Sequence, residues 1–559
     1  MKAESMQLTR SIFGFGSDAR WLMALRAPLR RVRRRSRTMS ILAVIAALTI
    51  AVTLLPIAYL AVRALGSGSE GLAYALSPRT LAVVGNSIAL AAAVAISAAL
   101  VGVPFAWLTT RTTLPLRRFW LVAGSLPMVI PSYIGAMIFI AAFGPRGLAA
   151  DLLAPLGVEK LPPIYGFVGA WLSITLFTYP FVALPVRAAL LNTDPAQEEA
   201  ARSLGLRRRA VFWQVTLPQL RPALAAGMLL SALYALSDFG AVALMRFDAF
   251  TRVIYTQYTS SFDRERAAVL ALMLVAVTVA ILALERRISR RGSGNYRAGT
   301  GCARRSAPIR LGVWAIPALL FCGLLVGVGV ALPVGLLLSW LLRGAVAGAE
   351  LSPVVAPTLN SLSASLLSAL ASALLAIPPA YLALRSRSRF RQWLGSAAYL
   401  GNALPGLVVA LAFVFFASNL LPSLYQTMPI LILGYCTRFL PLSIGATRSA
   451  LTQINPRLED AGRGLGLRRW QVILRITAPL ARAGITSGAA LVFLSAMKEL
   501  PTTLLLAPTG FETLPADIWT ATSEARFAQI AAPALLLVLV SALSLMVMLW
   551  QERQTADRL

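Results

Sequence analysis

The sequence contains no histidine, and only three of its 52 basic residues are lysine, namely Lys2, Lys160 and Lys498. Imidazole acid–base catalysis and histidine-ligated metals are therefore excluded. A phosphate-cradling loop needs Gly-Lys followed by Ser or Thr. The three lysines follow Met1, Glu159 and Met497, so that nucleotide-binding motif is excluded too. Cysteine is equally scarce. Cys302, Cys322 and Cys436 lie in different segments with no CxxC spacing, which gives neither a disulfide framework nor a soft-metal site. Acids are few, 22 against 52 bases. The net charge of +30 is no nucleic-acid signature, because the arginines sit in short loops between apolar blocks, as topology signals do.

What the chain has in abundance is apolar surface. Of its 559 residues 58% are hydrophobic and 13% charged, more apolar surface than soluble cores could hide. The apolar residues come in blocks of about 20, the length that crosses a hydrocarbon layer about 30 Å thick. Isolated segments in lipid must satisfy their own backbone groups, so the expected fold is an all-α polytopic membrane protein. Spans are expected near 41–63, 84–108, 119–143, 166–191, 222–245 and 267–285. A second set is expected near 312–342, 361–384, 393–418, 428–450, 483–507 and 528–550. The run 41–62 is too long for a cleaved signal and reads as the first span. Residues 1–40 form a basic arm with ten Lys and Arg, either a plain topology determinant or a segment that also lies on anionic lipid. Arginine is concentrated at 109–118, 192–221, 286–311, 385–392 and 451–482. The positive-inside rule then places both termini in the cytoplasm of a bacterial inner membrane.

The chain repeats. Asn86, Pro104, Arg111 and Pro131 are matched by Asn360, Pro378, Arg385 and Pro405, all 274 residues on. Pro180, Arg187, Gly205 and Pro218 are matched by Pro441, Arg448, Gly466 and Pro479, 261 residues on. Six spans per half is an even number, so the halves share one orientation. The expected organisation is a first half at 41–285 with its core near 80–285, a linker at 286–311, and a second half at 312–559 with its core near 358–550.

The best-matched part of the repeat lies outside the spans. DPAQEEAARSLGLRRRAVFWQVTLP (194–218) and NPRLEDAGRGLGLRRWQVILRITAP (455–479) share twelve of 25 residues without a gap. Asp194 or Asn455 suits an N-cap and Pro195 or Pro456 the first helical position. Gln197 is a capping-box partner, and Glu198, Glu199, Glu459 and Asp460 place negative charge at the positive helix end. Gly205 or Gly466 stops the helix. Each half thus projects a short capped helix flanked by arginine.

This loop resembles the EAA loop of ABC importer permeases, in which Glu-Ala-Ala is followed by Gly and then by Ile-x-Leu-Pro. The first copy matches with Glu199, Ala200, Ala201, Gly205, Val215, Leu217 and Pro218. The second departs from it, with Asp460, Ala461, Gly462, Gly466, Ile476, Ala478 and Pro479. The resemblance covers both halves. It implies twelve spans in two type I importer halves, with each loop seated as a coupling helix in an ATPase subunit. Two loops imply two ATPase copies, most simply a homodimer, holding the ATP and Mg that this chain does not bind. The second dock is expected to be weaker or differently tuned, with asymmetry tracing to Asp460, Gly462 and Ala478. A periplasmic binding protein is implied outside, touching the loop 246–266.

Within the spans, Asp238 and Glu499 share the offset of 261, and Lys498 adjoins Glu499. Intramembrane charges are costly in lipid. These three are candidates for an outer gate or pathway, or for an interhelical salt bridge. Arg438, whose counterpart is Phe177, is a candidate partner for either acid. Pro131, Pro405, Pro180 and Pro441 are expected to kink their helices. The segments 235–274 and 497–514 resemble the iron(III) branch of these permeases, with thiamine, polyamine and phosphonate systems as alternatives. A secondary transporter of the major-facilitator type would carry an acid in the loop 109–118, which has none. A membrane-embedded enzyme would need catalytic polar groups within the spans. The chain is read as a permease without catalytic residues or a metal site of its own.

Overall fold

A hydrocarbon environment forces each apolar run to close its own hydrogen bonds, and the computed structural model is helical throughout its apolar stretches. The structure describes residues 37–292 and 308–556 except 158–159, 194, 262, 349–353, 387, 398–400, 402–403 and 525. The basic arm up to residue 36, Asp194 and most of the linker lie outside the described residues.

The first half runs α1 (Arg37–Gly66), α2 (Pro78–Arg111), α3 (Ser132–Phe143) and α4 (Phe167–Asn192). A short helix, α5 (Pro195–Ser203), then precedes α6 (Leu217–Ser237), α7 (Gly240–Leu244), α8 (Phe250–Thr259) and α9 (Arg264–Gly292). The second half repeats this order. It holds α10 (Leu332–Val346), α11 (Val355–Arg385), α12 (Arg389–Ala397), α13 (Gly406–Leu420) and α14 (Met428–Gln453). The short α15 (Pro456–Gly464) follows, then α16 (Arg482–Met497), α17 (Pro501–Leu506), α18 (Leu514–Ser523) and α19 (Phe527–Ala556).

Among the described residues nine helices are long and apolar enough to cross a membrane. A tenth is added if the pair Arg469–Leu480 and Arg482–Met497, bent by 72°, counts as one span. The expected twelve therefore do not all appear as unbroken spans, and the reason is local. Pro131 and Pro405 do not kink continuous helices. They stand at the N-caps of α3 and α13 with φ −59°, ψ 143° and φ −60°, ψ 142°. Proline has no N–H to give a preceding turn, so the expected spans at 119–143 and 393–418 are each split. The 15 residues of α13 rise only about 23 Å, short of the hydrocarbon thickness. The expected spans at 222–245 and 483–507 are likewise broken, at Asp238 and at Lys498-Glu499. The loops after these breaks contain α8 and α18, which the hydropathy pattern does not reveal.

In each half three long helices form the core: α2, α4 and α6, and their counterparts α11, α14 and α16. Small residues set how closely they cross. A methyl group on Gly227 of α6 would lie 2.6 Å from Cα of Val182 in α4. At the equivalent crossing, one on Gly488 would lie 2.9 Å from Cα of Ser443. The first helix of each half reaches the other half: α1 packs on α11, α12 and α13, and α10 packs on α3 as well as on α19. The halves are thus clasped by exchanged helices.

Replacing Gly227 or Gly488 with valine is expected to separate these crossings and to cost about 1–3 kcal/mol of stability. A melting curve of the purified protein in detergent should show the loss for both variants. A valine on the open face of Gly335, which has nothing within 4 Å, should leave the curve in place.

Candidate docking helices and the cavity between the halves

The two short helices α5 and α15 end in the same way. Gly205 has φ +88° and Gly466 has φ +89°. Leu206 N donates to Ala201 O at 3.2 Å and Gly205 N to Arg202 O at 3.0 Å. Leu467 N donates to Gly462 O and Gly466 N to Arg463 O, each at 3.1 Å. This is the left-handed glycine stop that satisfies the last carbonyls of a helix. Nothing lies within 4 Å of where a side chain on either glycine would begin, so the backbone angle alone demands glycine. At the other end, Asn455 Oδ1 caps α15 by accepting from Arg457 N at 3.0 Å. Gln197 Oε1 accepts from Gln219 Nε2 at 2.8 Å, which ties α5 to α6; the capping box expected of Gln197 involves Asp194, outside the described residues.

Each docking helix is held by a carboxylate that sequence reasoning treats only as helix-end charge. Glu198 Oε1 lies 3.5 Å from Arg111 Nη2 and accepts from Thr216 Oγ1 at 3.1 Å. Glu459 Oε1 lies 3.2 Å from Arg385 Nε and accepts from Thr477 Oγ1 at 3.3 Å. Its Oε2 accepts from Tyr381 OH at 2.9 Å. Arg385 Nη2 also donates to the carbonyls of Leu451, in the last turn of α14, and Ile454, its C-cap. Arg111 and Arg385 keep the offset of 274, while Glu198 with Glu459 and Thr216 with Thr477 keep 261. That joint regularity is the signal that could have found the anchor.

The two anchors differ. Trp107 stands where Tyr381 does, so the first anchor lacks the phenol bond. The second helix, further from the family pattern, has more bonds holding it. Nor does Gly462 loosen it. A methyl group there would lie 2.5 Å from Ile476 Cδ1. The equivalent positions of the first copy hold Ala201 and the smaller Val215, a methyl group more on the helix and one fewer on the return segment. Asp460 is exposed and ion-paired with Arg463 on its own helix. Ala478 is half-buried at the start of the return into the spans.

The opposite face of each helix is bare. Glu199, Ala200, Asp460 and Ala461 are exposed, and Leu204 and Leu465, at equivalent positions, are each 85% exposed. Leu217, Pro218 and Ile476 are half-buried, and Pro479 is exposed.

The three intramembrane candidates meet at a cavity of about 440 Å³ with walls from both halves. Asp238 Oδ1 accepts from Ala241 N at 2.9 Å, and Glu499 Oε1 accepts from Thr502 N at 3.2 Å and Thr502 Oγ1 at 2.6 Å. Each acid therefore caps the short helix that follows its break, α7 or α17. Arg438 forms an ion pair with Glu499. Gly406 admits the guanidinium, since a methyl group there would overlap Arg438 Nη1. Lys498 Nζ donates to Met128 O of the first half at 3.1 Å. On one wall, Phe239 packs against Tyr255 and against Trp519 of the second half, with ring centroids 4.7 and 5.0 Å apart.

Removing one partner of a buried ion pair strands the other. Arg385→Met should therefore lower the melting temperature of the protein more than Arg111→Met, because among the described residues the Arg385 side chain makes three polar contacts and that of Arg111 a single one at 3.5 Å. Restoring neutrality with Glu459→Gln in the Arg385→Met background should recover part of the loss.

The family model described as binding-protein-dependent transport system inner membrane component matches residues 102–293 and 372–557, one copy in each half. The chain is 30% identical over 492 residues to the Fe(3+)-transport system permease protein FbpB 2 of Haemophilus influenzae, covering 87% of this chain and 93% of that protein. A putative ferric transport system permease of the same organism is 25% identical over 446 residues, 76% of this chain and 70% of that protein. The sulfate transport system permease protein CysW of Synechocystis is 32% identical over 195 residues, 33% of this chain and 70% of its own length. The chain is a multi-pass membrane permease of the binding-protein-dependent transport system inner membrane component family, with two copies of the family's domain fused in one polypeptide.

Proposed function

We propose that this chain is the membrane subunit of an ATP-driven importer, that α5 and α15 each dock one ATPase subunit, and that the cargo is iron(III). The observation that carries the docking role is the paired construction of these helices. Both have the same glycine stop, the same buried carboxylate anchor and the same bare leucine. A helix fastened on one face and bare on the other transmits force in both directions. The ATPase is a separate polypeptide, most simply a homodimer, because the lysine positions exclude a phosphate loop here. Both termini and both docking helices face the cytoplasm, as the arginine distribution requires. A periplasmic binding protein delivers cargo to the opposite side, where α8 and α18 lie.

In this reading the ATPase dimer closes on ATP, and α5 and α15 move with it. Their anchors pass the motion to α2 and α11 through Arg111 and Arg385. The broken helices α6–α7 and α16–α17 flank the cavity and are free to flex at Asp238 and Glu499, while Lys498 exchanges its bond to Met128 as the halves part. Asp238, Glu499 and Lys498 thus belong to the gate through the helix breaks they stabilise.

The iron(III) assignment is supported by relatives named for ferric transport that match most of both halves. The sulfate permease matches only about a third of the chain. Thiamine, polyamine and phosphonate remain the other cargoes to compare. In a strain lacking the gene, the chain with its ATPase and binding protein should restore uptake of labelled iron(III) and not of thiamine or sulfate. Uptake of either instead would overturn the cargo. Gly205→Val forces a β-branched residue into a left-handed backbone at a cost of about 1–2 kcal/mol. It should abolish uptake while the protein still inserts in the membrane at wild-type levels. Normal uptake by this variant would contradict the docking role.

A further inference from the structure

The helix that returns from the second docking loop has two working faces. Val472 and Ile476 seat beneath Gly462 of α15. Trp470, Ile473 and Leu474 face the other way, into an apolar groove of about 330 Å³ closed by Ile41 of α1 and by Leu374 and Pro378 of α11. Among the described residues no charged or hydroxyl side chain lines it. Its walls stay open to the surroundings: Leu374 is 71% exposed, Leu474 61%, Ile41 59% and Trp470 47%. In a membrane protein a groove of this kind between spans takes an acyl chain.

The rim says which lipid. Arg468 and Arg469, adjoining Trp470, are both exposed, and no ion pair to either occurs among the described residues. The nearby helix α12 packs on α1 and α11 and carries exposed Arg389. It also presents Phe390 and Trp393, 66% and 58% exposed and stacked 6.2 Å apart. Exposed aromatic rings beside arginines mark the headgroup level of a bilayer. The neighbouring acids are occupied, Asp460 by Arg463 and Glu459 by Arg385. The rim is therefore cationic over an apolar floor. The first half has no such site at this place, since Arg209 stands where Trp470 does.

We propose that this groove binds an anionic phospholipid, with an acyl chain against Trp470 and Leu474 and the phosphate on Arg468 and Arg469. Its occupancy braces the return helix and hence the second docking helix. Placement in the cytoplasmic leaflet rests on the orientation proposed above, whereas the binding itself does not.

The test uses the full chain in lipid nanodiscs carrying brominated phosphatidylglycerol or brominated phosphatidylcholine at equal mole fraction. Quenching that depends on Trp470 is read as the difference between wild type and Trp470→Phe. A juxtamembrane arginine contributes about fivefold to anionic-lipid binding, so wild type should show a clear preference for phosphatidylglycerol. The double variant Arg468→Gln/Arg469→Gln should lose that preference while keeping Trp470. Equal quenching by both lipids in wild type, or an unchanged preference in the double variant, would overturn the site. With the ATPase and binding protein added, stimulated ATP hydrolysis should rise with phosphatidylglycerol in wild type and not in the double variant. A lipid preference without that rise would overturn the bracing role. Failure of hydrolysis in every membrane would count against the importer reading and would leave the quenching result to decide the lipid site.

Discussion

A carboxylate removed from water needs a cation and hydrogen-bond donors close by, and this requirement fixes where each candidate docking helix sits. Glu198 and Glu459 are held on Arg111 and Arg385, the last residues of α2 and α11. These arginines close long helices of the two cores, so the candidate docking helices are fastened to the core of each half rather than to a loose loop. The glycine stops at Gly205 and Gly466 then turn the chain back toward the spans at a set distance from the anchor. Everything on the outer face, Glu199 and Leu204 or Asp460 and Leu465, is positioned by this buried contact.

The same economy of polar groups shapes the centre of the molecule. Breaking a helix inside a membrane leaves backbone N–H groups that no water satisfies. Asp238 and Glu499 meet that need for α7 and α17, and Arg438 balances Glu499. Proline makes the matching breaks at α3 and α13 without stranding a donor, because it has none. Broken helices from both halves thereby surround one cavity, and the charges within it belong to the breaks. The apolar groove beside Trp470 extends the scheme outward, since the return helix of the second loop is shared by α15 on one side and the groove on the other.

Much of this was legible in the residues. Apolar block length and arginine placement implied a polytopic helical protein, and two constant offsets implied the repeat. The twinned loop pointed to the docking helices, including the glycine stop and the Asn455 cap. What the pattern could not show was which of two adjacent acids turns inward. Glu198 and Glu199 are alike by composition; the repeat keeps glutamate only at Glu198 and Glu459, and the neighbourhood of Arg111 turns that hint into an assignment. Hydropathy also cannot distinguish a kinked span from a broken one, so Pro131, Pro405, Asp238 and Glu499 read as features within continuous helices. The departure from the family pattern at Gly462 gave no sign of its packing, because Ile476 lies fourteen positions on and its contact exists only in the fold.

The central claim is that this one chain carries two separate docking sites, each presented by a buried carboxylate anchor. The mass of the complex purified with its ATPase subunit tests it most directly. The account predicts two ATPase copies on the wild-type chain, one on Leu204→Asp or Leu465→Asp alone, and none on the double variant. Two copies retained by the double variant would contradict it.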